Sequence, residues 1–264
     1  MKKDKLLLNT FVIIALFLLT FIIVSSINVK PNAKATVLQT VSKVGLPIIK
    51  SPTDNEIVVH RYYSLSYNET HEQPNWVYYI LTYNNVYGNI TRESAFVEDE
   101  AVSTKSAKSA DYKNSGYDRG HICPAADMRI NHIAMKESFY MSNICPQKHQ
   151  FNAGVWLDLE NYVRSLITNE NDTLYIVAGP VLKGNFTKIK GKYNEISVPN
   201  YFYKIIYSKK ENCLKGFLIP HSANYKNKKE LSFYSVTVDS LEKMTDIDFF
   251  PGIDNEDSLE STIN

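Results

Sequence analysis

Residues 116–128 read GYDRGHICPAADM, placing an arginine, a histidine, two aspartates and a cysteine in one short stretch punctuated by glycine and proline. Hydrolysis of a phosphodiester needs a base to activate water, a cation against the phosphoryl charge and assistance to the departing oxygen. His121 can act as the base, because an unperturbed imidazole titrates at ~6.5, near working pH. Arg119 offers a planar fork of donors to a phosphate. A divalent cation can serve both the transition state and the leaving group.

Hard cations take oxygen ligands, and Asn152 and Glu160 are candidates downstream. On one helix their eight-residue separation means ~12 Å of rise and ~80° of rotation. Both can face one cleft, yet they can hardly both grip one ion. An ion held directly by Asn152, with Glu160 acting through water, fits the spacing, and magnesium tolerates it because it dehydrates reluctantly. The plainer alternatives stay open on these grounds: a structural histidine in a polar turn, a helix-start asparagine and a solvated helix glutamate.

The elements that would position these groups are legible in part. Residues 56–63 and 76–83 are rich in β-branched and aromatic side chains and read as strands. Residues 97–114 are small, polar and charged, as in an irregular loop. Val155, Trp156, Leu159, Tyr162, Val163, Leu166 and Ile167 recur at three- and four-residue steps, the pattern of an amphipathic helix beginning at Asn152. Strands follow over 174–180, 201–208 and 214–219. No internal repeat is present, and one mixed α+β domain is the simplest parse.

The 264 residues, 44% hydrophobic and 12% aromatic, suffice for a sizeable core and exclude wholesale disorder. Lys2, Lys3 and Lys5 precede an almost uncharged apolar run over 6–24, the pattern of an export signal or a membrane anchor. Ala33-Lys34-Ala35 resembles a cleavage site, and cleavage and anchoring both remain open. This segment places the protein outside the cytoplasm as an expectation: exported, and either secreted or membrane-anchored with the folded part outside. Net charge is +1. Residues 1–29 carry three lysines against Asp4, and six acids stand without Lys or Arg from Thr245 onward, which leaves the middle at +5. Such a body can bind polyanions, and an ordinary solvated surface is the plainer explanation of the charge taken alone. Three cysteines and no C-x-x-C give a structural zinc site little support.

SGYDRGHICPAADM, followed by SFYMSNICPQKHQFNAGVWLDLE, resembles the DNA/RNA non-specific endonuclease family, the DRGH branch of the ββα-metal (His-Me finger) nucleases. The resemblance extends through NWVYYILT, LYIVAGPVL, VPNYFYKII and GFLIPH, spanning about 57–221. It implies an α+β fold with a central antiparallel sheet flanked by helices, the histidine on a strand and the asparagine on a helix packed across it. It makes His121 the general base, Arg119 a phosphate contact, Asn152 the direct ligand of Mg2+ (or Mn2+) and Glu160 its partner through water. Asp118 holds the geometry of the motif, Asn143 shapes the same cleft and contacts substrate or else stabilises a turn, and Asp127 is structural. Cys123 and Cys145 fall inside matched blocks and are expected to form a disulfide, with two buried small hydrophobes as the alternative.

The expected organisation is a signal or anchor over 1–30, a linker over 31–55, a nuclease domain over 56–250 and an acidic tail over 251–264. The expected function is hydrolysis of DNA and RNA to 5′-phosphate and 3′-hydroxyl ends. Nucleic acids are the expected partners, together with the membrane through an uncleaved N-terminus and a second copy in a homodimer. An inactive nucleic-acid-binding relative and a phosphodiesterase with another substrate are the rivals; Arg119, His121, Asn152 and Glu160 are all intact, which argues against the first.

Overall fold

Alternation along the strands builds two apolar faces on one sheet. The computed structural model describes residues 44–51, 54–223, 229–253 and 256–261. In chain order the elements begin with β1 (Ile48–Ile49), β2 (Asn55–Val59), β3 (Tyr63–Asn68), β4 (Gln73–Thr82) and the short helix α1 (Tyr83–Val86). Then come β5 (Asp118–His121), α2 (His132–Ser138), β6 (Ile144–Gln147) and α3 (His149–Phe151), which passes through a π-helical turn, Asn152–Trp156, into α4 (Leu157–Ser165). The remainder is β7 (Thr173–Pro180), β8 (Thr187–Lys190), β9 (Glu195–Val198), β10 (Tyr201–Ser208), β11 (Cys213–Pro220), β12 (Ser235–Val236), α5 (Val238–Thr245) and β13 (Ile247–Asp248).

Seven strands form an antiparallel sheet in the order β12-β11-β10-β7-β4-β3-β2. Val77, Tyr79 and Leu81 of β4 face one core with Phe151, Trp156, Leu159 and Val163. Trp76 and Tyr78 face the other, with Tyr203, Leu241, Phe249 and Phe250. A separate hairpin of β5 and β6, with the helical segment 149–165 following it, lies on the first face. His121 is thus on a strand and Asn152 in the helical segment, as the resemblance implies.

Three elements depart from the reading of the sequence. The run over 56–63 is two strands joined by a turn, β2 and β3, because the chain reverses at residues 60–62. Residues 48–49, in the stretch expected to be a linker, form β1 and pair with β13, and Val44 is buried in the second core. The expected continuous helix from Asn152 is broken at Gly154, whose φ of −109° and ψ of −117° are not helical, so that two helices meet there at a kink. The expected rotation between Asn152 and Glu160 therefore does not apply. The apolar segment over 6–24 lies outside the described residues, and among these no helix is long and apolar enough to cross a membrane.

One glycine of the DRGH strand is fixed by close approach. A Cβ on Gly120 would lie 2.2 Å from Oε1 and 2.6 Å from Cγ of Gln147, a fully buried side chain on the paired strand. Gly120→Ala is expected to lower stability by ~1–3 kcal/mol, the usual scale for overpacking. Adding Gln147→Ala should recover part of that loss in a double-mutant cycle read by urea denaturation. Equal stability of Gly120→Ala and the wild type would contradict this packing.

Candidate active site

The β5–β6 pairing sets which side chains share a face. Asp118, Gly120, Cys145 and Gln147 lie on one side, and Arg119 and His121 on the other. Asp118 ties the strand to the helical segment: its Oδ2 accepts from Asn152 Nδ2 at 3.0 Å and meets His149 Nδ1 at 2.9 Å. Trp156 Nε1 donates to the His121 carbonyl at 3.4 Å. At the start of α3, the Lys148 backbone N–H donates to His221 Nε2 at 2.7 Å, which places the ring proton on Nδ1, donated to the Pro199 carbonyl at 2.8 Å. Burial pushes His221 down to about 4, with Lys148 adding to the shift and the Pro199 hydrogen bond opposing it.

The imidazole of His121 sits between two phenylalanines, with ring centres 5.2 Å from Phe96 and 4.8 Å from Phe139. Two guanidiniums lie over the same rings, Arg119 at 4.6 Å from the Phe96 centre and Arg92 at 5.2 Å from the Phe139 centre. Burial first, then the charges of Arg92 and Arg119, push the His121 pKa down to about 3. Its Nε2 is buried and has no hydrogen-bond partner. A neutral imidazole with an unengaged nitrogen, flanked by two cations, is suited to take a proton beside an anion.

Beneath this pocket is a buried charge network. Asp127 accepts from Arg164 at 2.7 Å on Oδ1 and from the Tyr79 hydroxyl at 3.0 Å on Oδ2. Lys204, fully buried in the centre of β10, reaches the Tyr79 hydroxyl at 3.5 Å and lies over Trp156 at 4.8 Å from its ring centre. Glu160 stands 3.9 Å from Arg164. Burial raises its carboxyl to about 7; Asp127 adds to the rise, and Lys204, Arg164 and Arg92 oppose it.

An open cleft of about 710 Å³ is lined by Asp118, Arg119 and Asn152 together with Phe96, Ser109 and Lys113. The cleft brings Arg119 and Asn152 together; His121 and Glu160 are not in its lining, and His121 lies behind Phe96. Asn143 is fully buried. Its amide accepts from the Cys123 N–H at 2.8 Å and donates to the Cys123 and Ser138 carbonyls at 2.9 and 2.8 Å, so it acts on backbone. Cys123 and Cys145 are buried free thiols, and the expected disulfide is not formed. In the β5–β6 register Cys145 faces Gly120, whereas Cys123 lies beyond the end of β5 and has no strand partner.

The donors fit a hydrated hard cation. Asn152 spends its amide nitrogen on Asp118, which leaves a carbonyl oxygen for an ion. Among the described residues no group of three or more His, Cys, Asp or Glu side chains is placed to hold a metal. An ion held at Asn152 would therefore take most of its ligands from water, as magnesium accepts and zinc sites do not.

Arg92, Phe96, Phe139, Lys204 and Arg164 were not evident from the sequence alone. Arg92 carries no local signal, standing in a polar loop. Phe96 is a lone aromatic in that loop, and Lys204 is a lone charge in an otherwise apolar strand, which are the marks by which both can be found.

Residues 41–256 match the family model of the DNA/RNA non-specific endonucleases. The chain is 32% identical over 238 residues to the mitochondrial nuclease EXOG of Danio rerio, covering 84% of this chain and 67% of that protein. It is 33% identical over 239 residues to a nuclease of Nostoc sp., covering 84% and 85%. Its backbone superposes on a crystal structure of the EndoG/EndoGI complex with a TM-score of 0.71 at 28% identity, covering 83% of this chain and 93% of that one. The fold is accordingly the ββα-metal nuclease fold with its central antiparallel sheet. The chain spans 67%, 58% and 64% of the EXOG proteins of Danio rerio, Mus musculus and Homo sapiens. These relatives and the Saccharomyces cerevisiae nuclease are mitochondrial, which corrects the exported placement expected from the N-terminal segment.

His221 gives a pH-dependent test of how α3 is held. A histidine whose folded pKa lies below its unfolded value stabilises fully above ~6.5, and that contribution is lost as pH falls through the folded value. Raised carboxyls at Glu72 and Glu160 act with the opposite sign between their unfolded values and about 7, so the effect is read as a difference between variants. The stability advantage of the wild type over His221→Gln is expected to shrink by about 2 kcal/mol from pH 7 to pH 5. A constant difference in guanidinium titrations would contradict the assigned tautomer.

Proposed function

The chain belongs to the DNA/RNA non-specific endonuclease family, and from that premise we propose that it hydrolyses phosphodiester bonds of both DNA and RNA with Mg2+ or Mn2+, leaving 5′-phosphate and 3′-hydroxyl ends. The observation that carries this reading is the His121 imidazole, neutral and unpartnered at a buried Nε2, set beside two guanidiniums.

In this reading His121 Nε2 takes the proton of the attacking water. The free protein holds the imidazole far below the pKa useful to a base. A phosphodiester lying against Arg92 and Arg119 neutralises the two charges that repel a proton, and adds a negative charge that attracts one. Substrate binding thus raises the basicity of His121 when it is needed. Arg119 grips the phosphate from a fixed position, since its guanidinium is stacked on Phe96 and donates to Ser109 Oγ at 2.5 Å. Phe139 orients Arg92 in the same way.

Asn152 would hold the cation through its carbonyl oxygen, with Glu160 acting through water. When bound, the ion supplies positive charge to the phosphoryl and leaving oxygens. Asp118 fixes the orientation of the Asn152 amide, and Asn143 holds the chain immediately after His121. These contacts recognise backbone phosphate and no base edge, which accords with action on either nucleic acid.

His121→Ala is expected to lower cleavage of plasmid DNA and of RNA by at least a hundredfold, since general bases contribute ~10²–10⁴-fold, with little change in metal affinity. Asn152→Ala should instead raise the magnesium concentration needed for half-maximal rate. More than a hundredth of wild-type turnover in His121→Ala would remove the general-base role. Unchanged magnesium dependence in Asn152→Ala would remove the ligand role, and wild-type protein inert with both ions would overturn the nuclease reading itself.

A further inference from the structure

One surface feature outside the catalytic cleft joins exposed aromatic and basic side chains in a fixed geometry. The β8–β9 hairpin turns at residues 191–194. Its tip carries Tyr193, 56% exposed although a tyrosine of this size could have been buried. The ammonium groups of Lys108 and Lys192 lie 4.9 and 5.0 Å from the centre of its ring. Lys190 and Lys192 are exposed beside it. Acids nearby are partly engaged: Glu98 pairs with Lys108 at 3.4 Å, and Glu195 with Lys188 at 3.6 Å.

The tip is held rigidly by one carboxylate. Asp111 Oδ1 accepts from the backbone N–H groups of Tyr193 at 2.6 Å and Asn194 at 3.2 Å, and Oδ2 accepts from Asn194 Nδ2 at 3.1 Å. Approach is so close that a Cβ on Gly191 would lie 2.4 Å from Asp111 Cβ. Asp111 sits in a short helical turn, Ser109–Tyr112, whose other side belongs to the cleft: Ser109, Ala110 and Tyr112 line it, and Ser109 accepts from Arg119. Lys113 and Asn114 continue that lining outward. A single turn of chain thus joins the phosphate-contacting arginine to the exposed tyrosine.

A half-exposed aromatic ring, fixed in place with two ammonium groups over it, has the parts of a site for unpaired nucleotides: a base can take the ring face as the lysines exchange it for neighbouring phosphates. We propose that the β8–β9 tip is a second nucleic-acid contact, where Tyr193 stacks an unpaired base a few nucleotides from the scissile phosphate and Lys108 and Lys192 take the flanking phosphates. This rests on the nuclease reading for its substrate and goes further by assigning Tyr193, Lys108 and Lys192 to the binding of an unpaired strand. A duplex keeps its bases stacked inward and offers the platform nothing but phosphate.

The test separates the two claims by using binding for one and turnover for the other. With EDTA present, the full chain and its Tyr193→Ala and Tyr193→Trp variants are titrated into a fluorescent twelve-nucleotide single strand and into a blunt duplex of the same sequence, read by anisotropy. Tyr193→Ala is expected to weaken single-strand binding about fivefold or more, the lower end of base–aromatic stacking; Tyr193→Trp should restore it, and duplex binding should hold within twofold. Turnover of bis-p-nitrophenyl phosphate with magnesium, a substrate too small to reach the tip, should be the same in all three proteins. Equal single-strand affinity of wild type and Tyr193→Ala, or an equal loss on the duplex, would overturn the platform. Absence of turnover in the wild type would count against the nuclease reading alone.

Discussion

An imidazole that is to accept a proton must be neutral and must keep one nitrogen unengaged, and burial of a polar ring without a partner is unfavourable. That conflict is met at His121, and the surroundings of the site can be understood from it. The ring is packed by Phe96 and Phe139, and Nε2 is buried beside them. Arg92 and Arg119 ride on the outer faces of those same phenylalanines, so the groups that dehydrate the imidazole also carry the charges that keep it unprotonated. A structural histidine such as His60, bonded to Asp99 at 2.8 Å, shows the opposite solution: its nitrogen is engaged by a carboxylate.

The rest of the fold holds this arrangement against a helix that is itself irregular. The kink at Gly154 separates Asn152, which reaches Asp118, from Trp156, which reaches the His121 carbonyl. A straight helix would set these two side chains at a fixed angle of about 40° and leave less freedom to meet both ends of β5. Below, the Asp127–Arg164–Tyr79–Lys204 network anchors α4 to the centre of the sheet. Such a buried cluster adds little net stability, and loss of one member leaves another charge unpaired; Glu160 stands beside it, 3.9 Å from Arg164.

The sequence made much of this visible because strand and helix signals are local. The strand over 201–208 follows from its aromatic and β-branched residues, and the DRGH and FNAGVWLDLE blocks point to Arg119 and Asn152, which line one cleft, and to His121 and Glu160, which lie outside its lining. What stayed hidden was determined by contacts distant in sequence. Arg92 matters through Phe139, forty-seven positions away, and no local pattern announces that meeting. The break at Gly154 depends on tertiary contacts of Asn152 and Trp156, so periodicity passed straight through it. Cys123 and Cys145 seemed paired because they flank motif residues, and the strand register that separates them is invisible until β5 and β6 are placed together. The N-terminal segment misled for a different reason: a basic start and an apolar run do not by themselves specify a destination.

The central claim is that burial and two arginines hold His121 neutral until a phosphodiester arrives. Nitrogen-15 chemical shifts of the His121 ring, followed from pH 8 to pH 4 with metal absent, test it most directly. In the free protein both ring nitrogens should report a neutral imidazole across that range, and adding a non-hydrolysable phosphorothioate dinucleotide should raise the apparent pKa. Ordinary titration of His121 near ~6.5, unmoved by the ligand, would contradict the account.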